Sequence, residues 1–288
     1  MTSELETEAV LSAEDLRSIL EVCSTEGVLV GGQALAFWAD HFALSRPADL
    51  VVAVSADADF IADGSLARKL ARALGWKSWI PGFDDATFQT GKVTQKLPDG
   101  SVKQVDFLAS VAGLTTEDVL RHALEMQVPQ IGRLRVMHPI DVLDSRIQNL
   151  ALIPSKRTQA GVSQARLAID VARAFIKAEI DERGERKALP LLERIAEFSG
   201  AAGALRVFLR YDIDPLLAVP LEDFRTTTAL HTQRWPRIVE TLARKRDKAR
   251  AEQTAGDGHG EQADAGPAGE TRDGGTGRQP ADVLNDRQ

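Results

Sequence analysis

Apolar side chains recur at nearly helical spacing between residues 12 and 26. Ser12 followed three residues later by Asp15 is typical of a helix start with an acid in the first turn. The short apolar run Val28–Val30 ends at Gly31-Gly32, and helical spacing then resumes. This pattern predicts a helix over 12–26, a strand, a tight glycine turn and a second helix.

The spacing changes between strand-like and helical further along the chain. Residues 50–62 are rich in β-branched side chains followed by alternating acids, which favours extended structure, and 65–75 favours a helix. Short strands are expected from 76 to 108, where Asp99-Gly100 separates two runs that could pair as a hairpin. The remaining predicted elements are a helix near 115–125, extended pieces at 128–137 and helices from 140 to 250.

These elements predict an α+β fold with a mixed sheet flanked by helices and followed by a helical part. The predicted divisions are an N-terminal helix at 1–24, an α+β domain at 25–137, a helical domain at 138–250 and a tail at 251–288. The tail holds eight glycines and few large apolar side chains. It cannot bury enough surface to offset its ordering entropy, so we expect it to be disordered.

The composition limits the cellular compartments in which the protein is expected and the kinds of metal or disulfide site that it can contain. The chain has 288 residues with 35 Lys+Arg against 42 Asp+Glu, and the excess of acid lies mostly in the tail. The body is therefore nearly neutral and shows no global nucleic-acid signature. The lone cysteine, Cys23, excludes an intramolecular disulfide framework and a multi-cysteine metal site. Without a signal peptide or an apolar run of about 18 residues, we expect a cytoplasmic protein that does not enter membranes.

Three acids are the first candidates for chemistry. Asp57 and Asp59 are spaced i, i+2, so on a strand both carboxylates leave the same face. Asp106 interrupts the apolar strand around Val105, an unusual place for a charge without a partner. If the two strands are neighbours, the three carboxylates converge and can bind divalent metal, as in phosphoryl or nucleotidyl transfer.

The glycine turn is a second candidate feature. Gly31-Gly32 precedes a helix, so backbone N–H groups at the helix start could bind the phosphates of a nucleotide. Glycine pairs and Asp-x-Asp pairs are also common in ordinary turns and loops. The order of these features along the chain carries more information than each one alone.

Four segments contribute to that order: Val28-Leu29-Val30-Gly31-Gly32-Gln33-Ala34-Leu35, Ser55-Ala56-Asp57-Ala58-Asp59-Phe60, Val105-Asp106-Phe107-Leu108 and Met137-His138-Pro139-Ile140-Asp141-Val142-Leu143-Asp144-Ser145-Arg146. Together, over residues 27–180, they resemble the minimal nucleotidyltransferase fold. The resemblance is to the AbiEii-like branch in particular, which is associated with bacterial toxin–antitoxin systems. It implies a nucleotidyltransferase-type mixed sheet followed by the family's helical part.

The resemblance also implies roles for individual residues. Asp57 and Asp59 would hold Mg²⁺ or Mn²⁺, and Asp106 would complete the metal site and could act as base. Gly31 and Gly32, with the adjacent Gln33, would contact the triphosphate, and Arg146 takes the position of a lysine-containing family motif. Lys156 and Arg166 are further basic residues that could meet phosphates, although Arg166 is also spaced i, i+4 from Asp170 as in an ordinary helix salt bridge.

The chain departs from the common family pattern at three positions. Gly32 stands where many nucleotidyltransferases have serine, and Ala56 and Ala58 stand where a basic and a branched apolar residue are usual. Asp49 is an alternative first acid, but Val51 would then take the place of the second. Asp57 and Asp59 fit the pattern better.

The predicted function is Mg²⁺-dependent transfer of a nucleoside monophosphate from an NTP to a hydroxyl acceptor such as RNA, tRNA or protein. The resemblance further implies a toxin with a cognate antitoxin as partner, although a housekeeping or resistance role fits the residues equally. An alternative is an inactive protein of the same fold that binds a nucleotide or a protein. A third hypothesis is an interaction module formed by residues 138–250.

Overall fold

The computed structural model of the chain describes residues 8–45 and 57–257. The alternative acid Asp49, the predicted strand before residue 57 and the predicted tail from 258 onward lie outside the described residues.

The described helices and strands follow the predicted order along the chain. The helices are α1 (Ala13–Cys23), α2 (Gly31–His41), α3 (Gly64–Leu74), α4 (Thr116–His122), α5 (Pro139–Leu152), α6 (Gln159–Arg183), α7 (Glu185–Ser199), α8 (Ala202–Tyr211) and α9 (Trp235–Asp257). The strands are β1 (Val28–Val30), β2 (Asp57–Ile61), β3 (Lys77–Trp79), β4 (Gln89–Lys96), β5 (Val102–Leu108), β6 (Leu124–Val128) and β7 (Gly132–Val136). A π-helix, Leu230–Arg234, leads directly into α9.

Local chemistry explains several element boundaries. Ser12 and Asp15 form a reciprocal capping box, so α1 begins at Ala13 as their spacing indicates. Gly75 ends α3 in the left-handed conformation with φ 68°, which glycine adopts without a steric penalty. Residues 251–257, which we expected to be disordered, are helical instead. Good helix formers such as Ala251 and Glu252 continue α9 there.

Within the described residues the sheet has seven strands in the order β3-β4-β5-β2-β1-β7-β6 and is mixed. β2 runs parallel to β5 and antiparallel to β1. β4 and β5 form the antiparallel hairpin predicted around Asp99-Gly100. The parallel register places Asp59 directly opposite Asp106, so the condition for convergence of the acids is met.

The fold is α+β: the mixed sheet is followed by a helical C-terminal region, as predicted. Helix α2 connects the two parts because it contacts β2 as well as α5 and α6. Its Trp38 is 1% exposed and donates a hydrogen bond from Nε1 to the Met137 carbonyl at 2.8 Å. Within the described ranges, no helix has the length and apolarity needed to cross a membrane.

Candidate functional site

The three predicted acids lie together. Asp57 and Asp59 occupy alternate positions of β2 and therefore share a face, and Asp106 projects from the neighbouring strand β5. Each residue offers one carboxylate oxygen that lies within 4.8 Å of the other two. Oxygen donors at this spacing, without histidine or cysteine among them, suit a hard divalent cation such as Mg²⁺ or Mn²⁺.

Asp59 is the most strongly perturbed acid of the cluster. Burial raises its pKa to about 7, and the neighbouring charges of Asp57 and Asp106 act in the same direction. The positive charges of Arg146 and Lys156 act in the opposite direction. A cluster that resists full ionisation in this way gains stability from any cation that binds it.

Asp106 is held by three neighbouring donors. Gln89 Nε2 donates to its Oδ1 at 2.9 Å, and Gln104 Nε2 donates to its Oδ2 at 2.7 Å. The ammonium of Lys92 lies 3.8 Å from Oδ1. Burial still raises the pKa of Asp106, while Lys92 and Gln104 oppose that change. These contacts fix the orientation of a carboxylate that is only 9% exposed.

The glycine turn meets the acids through the backbone of Gly31. Because Val30 pairs with Asp59 across β1 and β2, the first residue of α2 lies beside that carboxylate. Gly31 has φ 69°, and a Cβ there would lie 2.0 Å from Asp59 Oδ2. The glycine turn therefore coincides with the start of α2. The carboxylate of Asp59 fits beside this turn only because residue 31 lacks a side chain.

A cavity of about 410 Å³ contains the acid cluster. The predicted site residues that line it are Gly31, Gly32, Asp57, Asp59, Asp106, Arg146 and Lys156. Gln33 and Arg166 are not among the lining residues. Gln33 follows on α2 and is half-buried, whereas Arg166 is exposed on α6. The structure thus brings most, but not all, of the predicted nucleotide-binding residues to the cavity.

Arg146 is the buried cation of this cavity. It is 8% exposed on α5, and its Nη1 donates to Gln164 Oε1 of α6 at 3.1 Å. Its Nε is buried and has no hydrogen-bond partner among the described residues. Burial lowers the pKa of Arg146, an effect that the carboxylates of Asp59 and Asp57 oppose. A buried guanidinium with an unused donor is suited to an anionic ligand.

The residues that sequence reasoning missed are mostly amides. Gln89, Gln104 and Gln164 each hydrogen-bond a charged member of the site, and Lys92 pairs with Asp106. The i, i+2 spacing of Gln104 and Asp106 on one strand face was a usable signal. Gln164 depends on how α6 packs against α5, which no local pattern indicates.

Comparison with known proteins adds little to this geometry. No family model and no curated protein matches the chain. Among solved structures, JHP933 from Helicobacter pylori is similar at 16% sequence identity and a TM-score of 0.34. The match covers 87% of this chain and 100% of that one. Similarity at this level supports no functional argument, so the case for a function rests on the residues of the cavity.

Proposed function

We propose that this protein is a divalent-cation-dependent nucleotidyltransferase of the AbiEii-like kind, which moves a nucleoside monophosphate from an NTP to a hydroxyl group. One observation carries the proposal: three carboxylates within 4.8 Å of one another share a cavity with the buried guanidinium of Arg146. Phosphoryl transfer needs carboxylates that can hold a divalent cation and positively charged groups that neutralise the charge on the phosphates. This cavity contains both.

In the proposed reaction the acceptor oxygen attacks the α-phosphorus of the NTP and forms a new P–O bond. The bond between the α-phosphorus and the bridging oxygen breaks, and pyrophosphate leaves with the electron pair. The acceptor proton passes to a carboxylate of the cluster, and Asp106 is the residue proposed for this role. The chemistry supplied by Mg²⁺ or Mn²⁺, held by Asp57, Asp59 and Asp106, would be Lewis-acid stabilisation of the phosphate charge.

The remaining residues of the cavity suit the triphosphate. Arg146 is positioned by Gln164, and its free Nε–H faces no competing acceptor among the described residues. Lys156 contributes a second positive charge at the cavity wall. The backbone N–H groups of Gly31 and Gly32 lie at the positive end of α2, which favours phosphate oxygens.

The direct test is incubation of the purified protein with each α-³²P-labelled NTP, Mg²⁺ and total bacterial RNA. Labelled RNA, labelled protein and free nucleotide are then separated. We expect label to move to RNA or protein, and Asp57→Asn to lower that transfer on the order of 100-fold or more. Asp84→Asn is the matched control, because Asp84 is exposed and does not line the cavity.

Equal transfer by the wild type and Asp57→Asn would refute the proposed role of the cluster. The labelled fraction would also identify the acceptor, for which we propose RNA, including tRNA, or a protein side chain. A toxin in the cytoplasm with a cognate antitoxin is the corresponding biological proposal. Its test is growth arrest on expression of the wild type that Asp57→Asn relieves.

A second candidate, nucleotide binding without turnover, is favoured by the hydrogen bonding of Asp106. Both of its oxygens already accept amide hydrogens, and the hydrogen bond from Gln104 opposes the rise in pKa that burial causes. Calorimetric titration with a non-hydrolysable NTP analogue distinguishes the two functions. Mg²⁺-dependent binding of the analogue, with no label transfer from any NTP to any acceptor, would favour the binding protein.

A further inference from the structure

A second cavity, of about 680 Å³, lies in the helical part and shares no lining residue with the carboxylate cavity. It is formed between α7, the π-helix and α9. Its apolar surface comes from Leu189, Ala196, Leu230, Ile238 and Leu242. Leu230 and Leu242 are buried, and the others are half-buried. The volume and the predominantly apolar lining are those of a site for a small organic ligand.

The charged residues lining this cavity are mainly cationic. Arg234, Arg237 and Lys245 line it together with one acid, Glu197. Arg234 is paired with Glu193, and Lys245 donates to the Gly200 carbonyl at 3.2 Å. Arg237 is exposed and forms no ion pair with a described residue. An anionic group bound here would therefore meet a guanidinium that needs no rearrangement of existing ion pairs.

The π-helix is an independent sign that this region is specialised. Leu230, Gln233 and Arg234 of this segment all line the cavity. The wider π-helical turn is less favourable than α-helix and occurs frequently at functional sites. Here it forms part of the cavity wall and carries one of its cations.

We propose that this cavity binds a small amphipathic anion, with a hydrocarbon or aromatic body against the leucines and a terminal acidic group beside Arg237. Charge complementarity selects an anion over a neutral apolar molecule. The volume selects a small ligand over a whole helix of a partner protein. This site is additional to the proposed nucleotidyltransferase cavity and does not depend on that proposal.

The test uses two fluorescent probes on the full-length protein. 8-Anilinonaphthalene-1-sulfonate carries an apolar aromatic body and an anionic group, and N-phenyl-1-naphthylamine is a neutral molecule with a similar body. We expect saturable 1:1 binding of the sulfonate that decanoate displaces and decanol does not. Arg237→Gln should weaken sulfonate binding roughly fivefold or more and leave the neutral probe unaffected.

Two further variants complete the design. Arg244→Gln is the matched control, because Arg244 lies on the same helix, pairs with Glu240 and does not line the cavity. Ala196→Leu should narrow the cavity and weaken sulfonate binding, while circular dichroism confirms that the helices are retained. Raised salt should weaken the sulfonate and not the neutral probe.

Three results would overturn the proposal. The first is an equal effect of Arg237→Gln and Arg244→Gln on sulfonate binding. The second is neutral-probe binding that is as tight as sulfonate binding and insensitive to Ala196→Leu. The third is concentration-dependent self-association that Ala196→Leu abolishes, since the cavity would then belong to an interface with a second copy.

Discussion

Gly31 has no side chain of its own to bind a ligand, yet its replacement should affect the candidate site directly. A Cβ at this position would overlap Asp59 Oδ2, and φ is 69°, so Gly31→Ala must displace the carboxylate and strain the backbone. We expect loss of Mn²⁺ binding, measured by calorimetry, together with a loss of about 1–3 kcal/mol in the free energy of unfolding.

Gly75 offers the control for this substitution. It also has positive φ, at 68°, but a Cβ added there would have no atom within 4 Å, so Gly75→Ala adds backbone strain alone. It should lower stability by about 1 kcal/mol and leave Mn²⁺ binding intact. Wild-type Mn²⁺ affinity in Gly31→Ala would show that Asp59 is not a ligand.

His138 is expected to make the stability of the protein sensitive to acid. It is 7% exposed, and burial lowers its pKa to about 3, with the charges of Arg194 and His122 acting in the same direction. Between about pH 6.5 and 3 the unfolded chain binds a proton that the folded chain does not. Its contribution to stability is therefore fully present above about pH 6.5 and is lost as the pH falls.

The size of this acid effect can be measured by urea unfolding at several pH values. The lowered pKa of His138 corresponds to a decrease of about 3 kcal/mol in the free energy of unfolding between about pH 7 and pH 4. His138→Asn keeps a side-chain acceptor for the Ile140 N–H, which His138 Nδ1 now accepts at 3.1 Å, but does not titrate. The free energy of unfolding of the variant should fall less over this pH range. The same dependence on pH in the variant and the wild type would refute the role of His138.

At the scale of elements, strands β4 and β5 together orient Asp106. Gln89 and Gln104 donate to different oxygens of this carboxylate, which still has lone pairs available to a cation. Replacing both glutamines by methionine should free the side chain to rotate and weaken Mn²⁺ binding roughly tenfold.

Gln95→Met on β4 is the control for the double variant, because Gln95 does not line the cavity. Calorimetry of Mn²⁺ binding in the absence of nucleotide separates this prediction from any question of turnover. Equal or tighter binding by the double variant would mean that the amides compete with the cation instead of positioning its ligand.

The same elements show what the sequence could predict. The two-residue alternation of side chains along a strand predicted that Asp57 and Asp59 share a face. The glycine pair after Val28–Val30 predicted the start of α2. The neighbouring position of Asp106 remained conditional, because the pairing of β2 with β5 joins segments distant in sequence. Gln164 and the cavity next to Arg237 depend on helix packing, and hydrophobic spacing alone does not determine which helix faces meet.

At the scale of the whole molecule, the candidate site requires the sheet and the helical part together. The acids lie on β2 and β5, whereas Arg146, Lys156 and Gln164 follow Met137 in the chain. Trp38 links these parts: its Nε1 donates to the Met137 carbonyl, and its ring contacts Phe175 of α6 at a centroid distance of 6.3 Å. We therefore expect the sheet and α5–α6 to unfold together.

Trp38→Phe tests this coupling because it removes the donor and leaves the buried Met137 carbonyl without it, at a cost of about 1–3 kcal/mol. Hydrogen exchange followed by mass spectrometry should show faster exchange in peptides of β2 and β5 as well as in peptides of α5 and α6. Trp79→Phe, at a position that is 43% exposed, should change neither set. Faster exchange confined to α5 and α6 would show that the two parts open independently.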